Sequence, residues 1–500
     1  MHSKYDHQDP ELLWVSSSAA PGGNGTFDTP FDELERALTI VKPGNTIVLK
    51  NGVYPHDATF DISGLIHQPI GIVAEHEGKA EVQGACWFFY DVSDLIVSGI
   101  TFKEAPFGAI SVIGTCMRNR FDSLRFIDCG TRDAASCTFF FGGAGGNCNV
   151  VENCRFERRA PQTAVAAETT IIGLMIGEGD GSGDAPLTDH VLRKNRFVNY
   201  DYGILIGAGD SSAGECGHIV EYNTLEGIGR EGILVKCGDT IVRGNLVLRS
   251  RNNSIDIGAG RGSIIEANRI LDCAKGILVN GPDHTVAGNC IVRCHGQAIR
   301  VCGASSAPQR EAASNLIIEQ NTCIDCGNGE RRIAGIRIDK GTSCVVRRNL
   351  FSGKGLPYVS AVPPGWPNNA QSSKRRSGSG VVVVLDNIAS DRSEAMNGVL
   401  PAEVAFKSRT NDDFSNDSGY GASGWMCAPE GFNQVREPAE EGEEAMGYRD
   451  MSFDDLDEDE TAEPAESAES GKSKGITEED FDSYMRRFYS REEFYTGDES

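Results

Sequence analysis

The chain has 500 residues, of which 39% are hydrophobic and 24% charged, so it can bury a core and is not disordered throughout. A net charge of −25 argues against nucleic acid as a partner, and no apolar run is long enough for a membrane span. The first residues contain no recognisable signal peptide, and 59 glycines favour many turns over long helices.

Residues 1–44 predict a first strand followed by a capping helix. The helix is expected in TPFDELERALTIV (29–41), with Thr29 as N-cap, Pro30 at the first helical position and Asp32 completing a capping box. The apolar residues of this segment recur at helical spacing. We therefore expect the helix to cover one end of the core that follows.

Residues 45–353 contain a repeat in which an asparagine introduces a short β-branched run. The intervals between these asparagines are 22, 23 and 21 residues in the middle of the region, and two further short strands follow in each copy. Three strands per coil predict an all-β solenoid, a right-handed parallel β-helix, with asparagine amides bonded from coil to coil. The predicted ladder comprises Asn153, Asn195, Asn223, Asn245, Asn268, Asn289, Asn321 and Asn349.

Two other β architectures fit this pattern less well. A β-sandwich would show strict polar–apolar alternation and Asn-Gly hairpin turns, which are scarce in the sequence. A left-handed β-helix would need a six-residue repeat, and none is present.

The C-terminal part changes character after the last regular coil. Residues 354–379 predict a flexible insertion, and residues 380–436 a terminal strand with loops. Residues 437–500 contain 23 acidic and 6 basic residues, a net charge of −17, which predicts a disordered acidic tail with an amphipathic helix at 477–495. Because the tail holds most of the negative charge, the coils are close to neutral and could bind an anionic ligand. We expect a monomer.

Several of the sixteen cysteines follow the register of the repeat. Cys273, Cys294 and Cys326 each lie five residues after a ladder asparagine, so successive coils would stack them. A buried stack of small apolar side chains explains this spacing. The alternative is metal binding, because Cys290 with Cys294, and Cys323 with Cys326, have the spacing of half-sites.

Two stretches resemble known families. The segment WVSSSAAPGGNGTFDTPFDELERALTIVKPGNTIVLKNGVY (14–54) looks like the N-terminal coil and cap of many secreted right-handed β-helix proteins. The segment GILIGAGDSSAGECGHIVEYNTLEGIGREGILVKCGDTIVRGN (203–245), continuing to Asn289, resembles polysaccharide lyase family six. That family cleaves alginate or dermatan sulfate by β-elimination. The resemblance implies an extracellular enzyme that acts on an anionic polysaccharide.

The resemblance also implies a set of site residues. The family glutamate that helps to bind calcium corresponds to Glu231, and the family lysine that acts as general base corresponds to Lys236. The chemistry needs both, because the proton α to a uronate carboxylate is weakly acidic until a cation neutralises that carboxylate. A second family glutamate corresponds to Gly229 and the family arginine to Gly258, so Arg261 is the candidate substitute for that arginine.

Other polar residues are candidates for acid–base work or metal binding. Asp283–His284 and Asp189–His190 could form acid–base pairs, as in the related mannuronan epimerases, or they could be capped loop residues. The loop at 178–184 carries closely spaced acidic residues that could hold calcium, or it could be a solvated loop. The candidate substrate-binding residues are Arg243, Arg251 and Arg300.

Three hypotheses follow for the function. The first is a lyase that cleaves a uronate-containing polysaccharide with Lys236 as base and Glu231 as a calcium ligand. The second is a uronate epimerase or a glycoside hydrolase on the same fold. The third is a carbohydrate-binding or structural solenoid without catalysis, which the glycine at 258 favours.

Overall fold

The computed structural model consists of coils that each contribute one short strand to three parallel sheets. In one coil, Ile241–Arg243 belongs to sheet A, Leu246–Leu248 to sheet B and Asn253–Ile257 to sheet C. Each of these strands pairs in parallel with its counterpart in the next coil. The prediction of an all-β parallel helix is therefore confirmed. The structure describes residues 5–130, 136–143, 145–159, 170–177, 186–207, 213–303, 313–327, 335–339, 342–353, 359–360, 375–377, 380–389 and 399–401.

The three sheets contain nearly all of the strands. In chain order, sheet A contains Leu12–Val15, Thr46–Leu49, Ile70–Ala74, Leu95–Ser98, Arg120–Asp122, Val150–Glu152, Val191–Arg193, Ile219–Glu221, Ile241–Arg243, Ile264–Glu266, Thr285–Ala287, Leu316–Glu319, Cys344–Arg347, Arg375–Ser377 and Gly380–Leu385. Sheet B contains Gly52–Tyr54, Ala80–Gln83, Thr101–Lys103, Arg125–Ile127, Arg155–Glu157, Arg196–Val198, Thr224–Glu226, Leu246–Leu248, Arg269–Leu271, Cys290–Val292, Thr322–Ile324, Leu350–Ser352, Asn387–Ala389 and Val399–Pro401. Sheet C contains Ala58–Phe60, Trp87–Tyr90, Ile110–Ile113, Ser136–Gly142, Ile171–Ile176, Tyr202–Ile206, Ile233–Val235, Asn253–Ile257, Lys275–Val279, Ile299–Val301, Ile336–Ile338 and Val359–Ser360. A separate two-stranded pair joins Ala213–Glu215 to Cys237–Gly238.

The core is a column of apolar side chains that point inward from all three sheets. Within one coil, Val242, Val247 and Ile255 are fully buried. Because the coils are in register, the same side chain type lies above itself in the next coil, as in the stacked rings of Phe126 and Phe156, whose centroids are 4.5 Å apart. Burial of this continuous column stabilises each coil mainly through its neighbours.

The asparagine ladder runs through the corner between sheets A and B. In each step the Nδ2 atom of one asparagine donates to the Oδ1 atom of the next over 2.9–3.1 Å, and the same Oδ1 accepts a backbone N–H. The ladder comprises Asn195, Asn223, Asn245, Asn268, Asn289, Asn321, Asn349 and Asn387. Its predicted members from Asn195 to Asn349 are confirmed, and Asn387 extends it.

Asn153 was predicted in this ladder and lies outside it. Its side chain is exposed, its φ is +55°, and its Nδ2 donates to Asp122 Oδ1 at 2.7 Å. The ladder position in this coil belongs to the next residue, Cys154, whose backbone N–H donates to Asn195 Oδ1 at 3.0 Å. The asparagine at 153 occupies a left-handed turn position, which asparagine tolerates better than most residues.

The N-terminal helix is shorter than predicted. It spans Leu34–Leu38, and its N-cap is Glu33 rather than Thr29. The reason lies in the preceding backbone, because Phe31 donates to Trp14 O and is therefore held in extended pairing with the first strand. Leu34 and Ala37 are buried against the core of the coils.

The last described strands continue the sheets beyond residue 353. Gly380–Leu385 pairs in parallel with Cys344–Arg347, and Arg375–Ser377 pairs antiparallel with Gly380–Leu385. Most of the predicted insertion at 354–379, and all of the predicted tail at 437–500 with its helix at 477–495, lie outside the described residues. Within the described ranges, no helix is long and apolar enough to cross a membrane.

Candidate functional site

The outer face of sheet C carries polar side chains on successive coils. Glu231, Asn253 and Lys275 occupy equivalent positions in three consecutive coils. Asp256 lies in the adjacent column, and Arg300 follows it two coils later. We call these five residues, together with Lys236, the sheet C strip. The strip contains cationic and anionic groups within a few strand spacings of about 4.8 Å, as a site for a charged sugar chain requires.

Lys236 lies at the end of a strip strand, next to Gly258 of the following coil. It follows Ile233–Val235, is half-buried, and donates its backbone N–H to Ile206 O at 2.8 Å. A Cβ atom built on Gly258 would lie 3.5 Å from Lys236 Cγ and 3.7 Å from Asp256 Oδ1. Both side chains therefore border Gly258. None of the described carboxylates forms an ion pair with the Lys236 ammonium group.

Glu231 brings a buried carboxylate to the same face. Its Oε1 atom accepts a hydrogen bond from Asn252 Nδ2 at 2.8 Å, whereas its Oε2 atom is buried and has no hydrogen bond of normal geometry among the described residues. Burial raises the pKa of Glu231, and the charge of Arg230 opposes this shift. A buried carboxylate oxygen without a donor is costly, so a bound cation would stabilise it.

Glu231 is bordered by Tyr202 of the preceding coil and by its own chain neighbour Arg230. The Arg230 guanidinium lies 5.7 Å from the Tyr202 ring centroid, and its Nη1 atom donates to the Tyr202 hydroxyl at 3.4 Å. Burial raises the pKa of Tyr202 to about 12, and the charges of Glu231 and Asp256 add to this. Tyr202 therefore stays protonated, and Arg230 supplies a fixed positive charge beside the carboxylate.

The family models and curated relatives agree with this architecture. A right-handed β-helix model matches residues 202–362, which include Glu231 and Lys236, and a chondroitinase B model matches residues 29–116. Pectate lyase L of Thermoclostridium stercorarium is 30% identical over 199 residues, which is 38% of this chain. The match spans only 13% of that pectate lyase. The fold is therefore that of the right-handed β-helix proteins, and parts of the chain are similar to polysaccharide lyases.

Solved structures give the same fold. The alginate lyase AlyGC of family PL6 superposes with a TM-score of 0.62 at 16% identity, over 82% of this chain and 56% of AlyGC. The alginate lyase AlyF-OU02, solved in complex with G6, superposes with a TM-score of 0.57 at 16% identity, over 83% of this chain and 93% of its own. At this identity the likeness shows the fold, and the activity has to be argued from the site.

The three predicted substrate-binding arginines have different positions. Arg300 lies on the sheet C strip and pairs with Asp339 at 3.2 Å. Arg251 is half-buried in the turn before Asn253–Ile257. Arg243 does not reach this face, because it is on sheet A and pairs with Glu221 at 2.7 Å. We therefore exclude Arg243 from the strip.

Arg261, the candidate substitute for the family arginine, is exposed in the turn that follows the strand Asn253–Ile257. Its Nη2 atom donates to Asp283 Oδ2 at 2.6 Å. An arginine at Gly258 would instead lie directly against Lys236. The Arg261 side chain is thus paired with Asp283 in an exposed turn, and its role as a leaving-group acid stays a prediction.

His284 lies inside the coils rather than on the outer face of sheet C. It is fully buried, its Nδ1 atom accepts the Ser263 backbone N–H at 3.0 Å, and its Nε2 atom donates to Asn280 O at 2.9 Å. His190 is likewise fully buried in the same column of the fold. Because both nitrogens of His284 bind backbone groups, the position does not support its predicted acid–base role, and we leave it out of the proposed mechanism.

Acidification is expected to destabilise the fold through these histidines. Burial lowers the pKa of His190 from 6.5 to about 3, with a contribution from His218, and burial also lowers the pKa of His284. Below about pH 6.5 the unfolded chain binds protons that the native chain does not. The contribution of these histidines to the free energy of unfolding is therefore fully present above about pH 6.5, and it is lost as the pH falls toward the native pKa values. Urea unfolding at pH 7 and pH 5 should show a loss of about 2 kcal/mol from His190. An unchanged midpoint in wild type would contradict this, and His190→Gln should depend less on pH.

The predicted cysteine stack is buried, as the apolar interpretation requires. Cys273, Cys294 and Cys326 are at most 5% exposed, with free thiols. Among the described residues, none of them belongs to a cluster with metal-ligand spacing; such a cluster is formed elsewhere, by Cys216, His218 and Cys237. The sequence did not predict this cluster. The acidic loop at 178–184, a candidate calcium site, lies outside the described residues.

Proposed function

We propose that the protein is a lyase that cleaves a uronate-containing polysaccharide by β-elimination, with Lys236 as the general base. The observation that carries the proposal is the position of Lys236 and Asp256 beside Gly258, with the buried carboxylate of Glu231 on the same coil as Lys236. The likeness to a pectate lyase, to the chondroitinase B family model and to alginate lyases supports the same class of reaction.

The reaction assigns separate tasks to Lys236, Arg230, Lys275 and Arg300. As general base, the Lys236 amine removes the proton from the carbon α to the uronate carboxylate, and the electron pair forms a carbon–carbon double bond as the bond to the glycosidic oxygen breaks. Arg230 and Lys275 orient the sugar carboxylates by charge, and Arg300 extends the positive surface along the chain. Because Gly258 offers no donor to the leaving oxygen, we expect solvent to protonate it and turnover to be slow.

The donor set near Glu231 fits a calcium ion. Calcium prefers oxygen ligands, and Glu231 offers a buried carboxylate oxygen that lacks a donor. Asp256 and the amide oxygens of Asn252 and Asn253 add further oxygen donors. When bound, the cation would neutralise the uronate carboxylate and so acidify the α proton. Glycine at position 229 leaves one carboxylate fewer than in family six, so we expect weaker metal binding.

The proposed class is tested with three polymers. Alginate, dermatan sulfate and polygalacturonate are each incubated with the protein, with and without a chelator, and unsaturated product is followed by ultraviolet absorbance. Product from at least one polymer is expected. If no polymer yields product but one binds, the protein is a carbohydrate-binding β-helix without catalysis. The specific feature that favours this second function is Gly258.

Glu231→Gln is expected to lower the rate of product formation about 10-fold or more and to remove the response to chelator, because the metal loses the carboxylate charge of Glu231. In wild type the raised pKa of Glu231 means that protonation on the acid side begins at a higher pH than for an ordinary glutamate. Activity should therefore be lost earlier on acidification than the ordinary pKa predicts. Glu226→Gln on sheet B is the matched control and should keep wild-type activity. Equal effects of the two variants would argue against a metal at Glu231.

Gly258→Arg is expected to raise the turnover rate about 10-fold or more, because it places a donor next to Lys236. The nearest atom to a Cβ at this position is Leu234 Cδ1 at 3.3 Å, and the glycine does not have a positive φ, so a side chain requires only that the end of the flexible Leu234 side chain shift by a few tenths of an ångström. Gly258→Met supplies similar bulk without the donor and should not raise the rate. A rate that rises equally in both variants would show that bulk, not the donor, matters.

A further inference from the structure

A second group of reactive side chains lies just behind Lys236. Cys216, His218 and Cys237 are 6%, 1% and 1% exposed, and their sulfur and nitrogen atoms lie within 4.8 Å of one another. Cys237 begins the short strand Cys237–Gly238, which pairs with Ala213–Glu215 of the preceding coil. Two thiols and one imidazole from adjacent coils thus meet in a buried position just after the strand Ile233–Val235.

The hydrogen bonds of His218 fix which of its nitrogens carries the proton. Its Nδ1 atom accepts the backbone N–H of His190 at 3.2 Å. A backbone N–H can only donate, so Nδ1 is unprotonated and Nε2 carries the proton of the neutral ring. His284, in the equivalent position three coils later, has the same arrangement, with Nδ1 accepting from Ser263 and Nε2 donating to a carbonyl. His218 is therefore a donor to sulfur rather than a metal ligand.

The donors around Cys216 favour its thiolate. The Cys237 thiol makes the largest contribution to lowering the pKa of Cys216, and His218 adds to it, whereas burial and the charge of Asp189 act in the opposite direction. The Gly214 carbonyl oxygen, 3.3 Å from Cys216 Sγ, also favours the protonated form. The net shift is downward. A thiolate beside a second thiol is the arrangement that reactive dithiols use.

We propose that Cys216 and Cys237 form a redox-active dithiol that a hydroperoxide closes to a disulfide. The Cys216 thiolate attacks the peroxide, an S–O bond forms, the O–O bond breaks and an alcohol or water leaves after protonation. The Cys237 sulfur then displaces hydroxide from the sulfenic acid, so that an S–S bond forms and water is released with the thiol proton. The two thiols are oxidised by two electrons and the peroxide is reduced by two. The bond joins adjacent coils directly next to Lys236.

The chain contains a matched control pair. Cys294 and Cys326 also approach each other across adjacent coils, and both are buried. The hydrogen bond with the neighbouring Cys326 thiol and burial both raise the pKa of Cys294. They therefore test whether proximity alone is enough for oxidation. The proposal predicts that it is not, because a neutral thiol reacts far more slowly with peroxide than a thiolate.

The full-length protein is treated with a few equivalents of hydrogen peroxide, remaining thiols are alkylated, and peptides are analysed by mass spectrometry. We expect a disulfide between Cys216 and Cys237, formed at least about 10-fold faster than any between Cys294 and Cys326. Cys237→Ser should stop at the sulfenic acid of Cys216, which a dimedone probe detects. His218→Phe should slow the reaction while its circular dichroism spectrum reports on folding.

Three outcomes would overturn the inference. The first is oxidation of both cysteine pairs at the same rate, and the second is no modification of Cys216 in wild type. The third is stoichiometric Zn²⁺ that survives dialysis of wild type and is lost in Cys216→Ser, because His218 would then be a ligand. These readouts are independent of polysaccharide cleavage, so the dithiol and the proposed lyase can fail separately.

Discussion

Lys236→Ala is expected to lower the rate of unsaturated product formation by about 10²–10⁴-fold, the usual contribution of a positioned general base. The lysine is half-buried on the sheet C strip, and no described carboxylate pairs with its ammonium group. The side chain is therefore not held by an ion pair, and its free amine form can take a proton from a bound sugar. The rate is followed by ultraviolet absorbance on whichever polymer the wild-type protein cleaves.

Lys275→Ala is the matched control for this variant. Lys275 is also half-buried, and it occupies the position of Glu231 two coils later in the same column. We expect it to bind substrate by charge only, so its loss should raise KM several-fold and leave kcat within about a factor of three. If Lys236→Ala instead changes only KM, Lys236 binds the polymer and the base is another residue.

The sequence predicted the fold well because the repeat itself is the fold. The ladder asparagines fall at one corner in each coil from Asn195 to Asn387, and their spacing follows the coil length. Where the prediction failed, backbone pairing overrode a local signal. Thr29 has the residue type of an N-cap, but pairing of Phe31 with the first strand delays the helix to Leu34. Asn153 is an asparagine, but it lies one residue before the ladder position of its coil, and Cys154 occupies that position.

The candidate site was less predictable, because residue type does not reveal which face of a coil a side chain occupies. Glu231 and Lys236 were found through resemblance to a family, and the structure brings both to the outer face of sheet C. Arg243 looked similar in sequence but belongs to sheet A, and His284 points inward. The cluster around Cys216 joins residues from two coils, one of them in a connection of irregular length. Only the coil register makes that contact visible.

Asn268→Ala is expected to lower the free energy of unfolding by about 3–5 kcal/mol. Its Oδ1 atom accepts from the backbone and side chain of Asn245, and its Nδ2 atom donates to Val242 O and Asn289 Oδ1, all over 2.9–3.0 Å. The substitution removes all four bonds inside a fully buried corner and leaves the Asn245 N–H without a partner there. Each orphaned buried group costs about 1–3 kcal/mol.

Asn153→Ala is the matched control, because the same change is made at an exposed corner outside the ladder. It loses one exposed hydrogen bond and adopts a left-handed conformation less readily, so we expect a cost of about 1 kcal/mol. Urea unfolding followed by circular dichroism compares the two variants, and amide exchange shows whether the loss is local. In a solenoid each coil depends on its neighbours, so exchange should rise first in the coils adjoining residue 268. Equal costs for the two variants would mean that the ladder bonds add nothing beyond those of a surface turn.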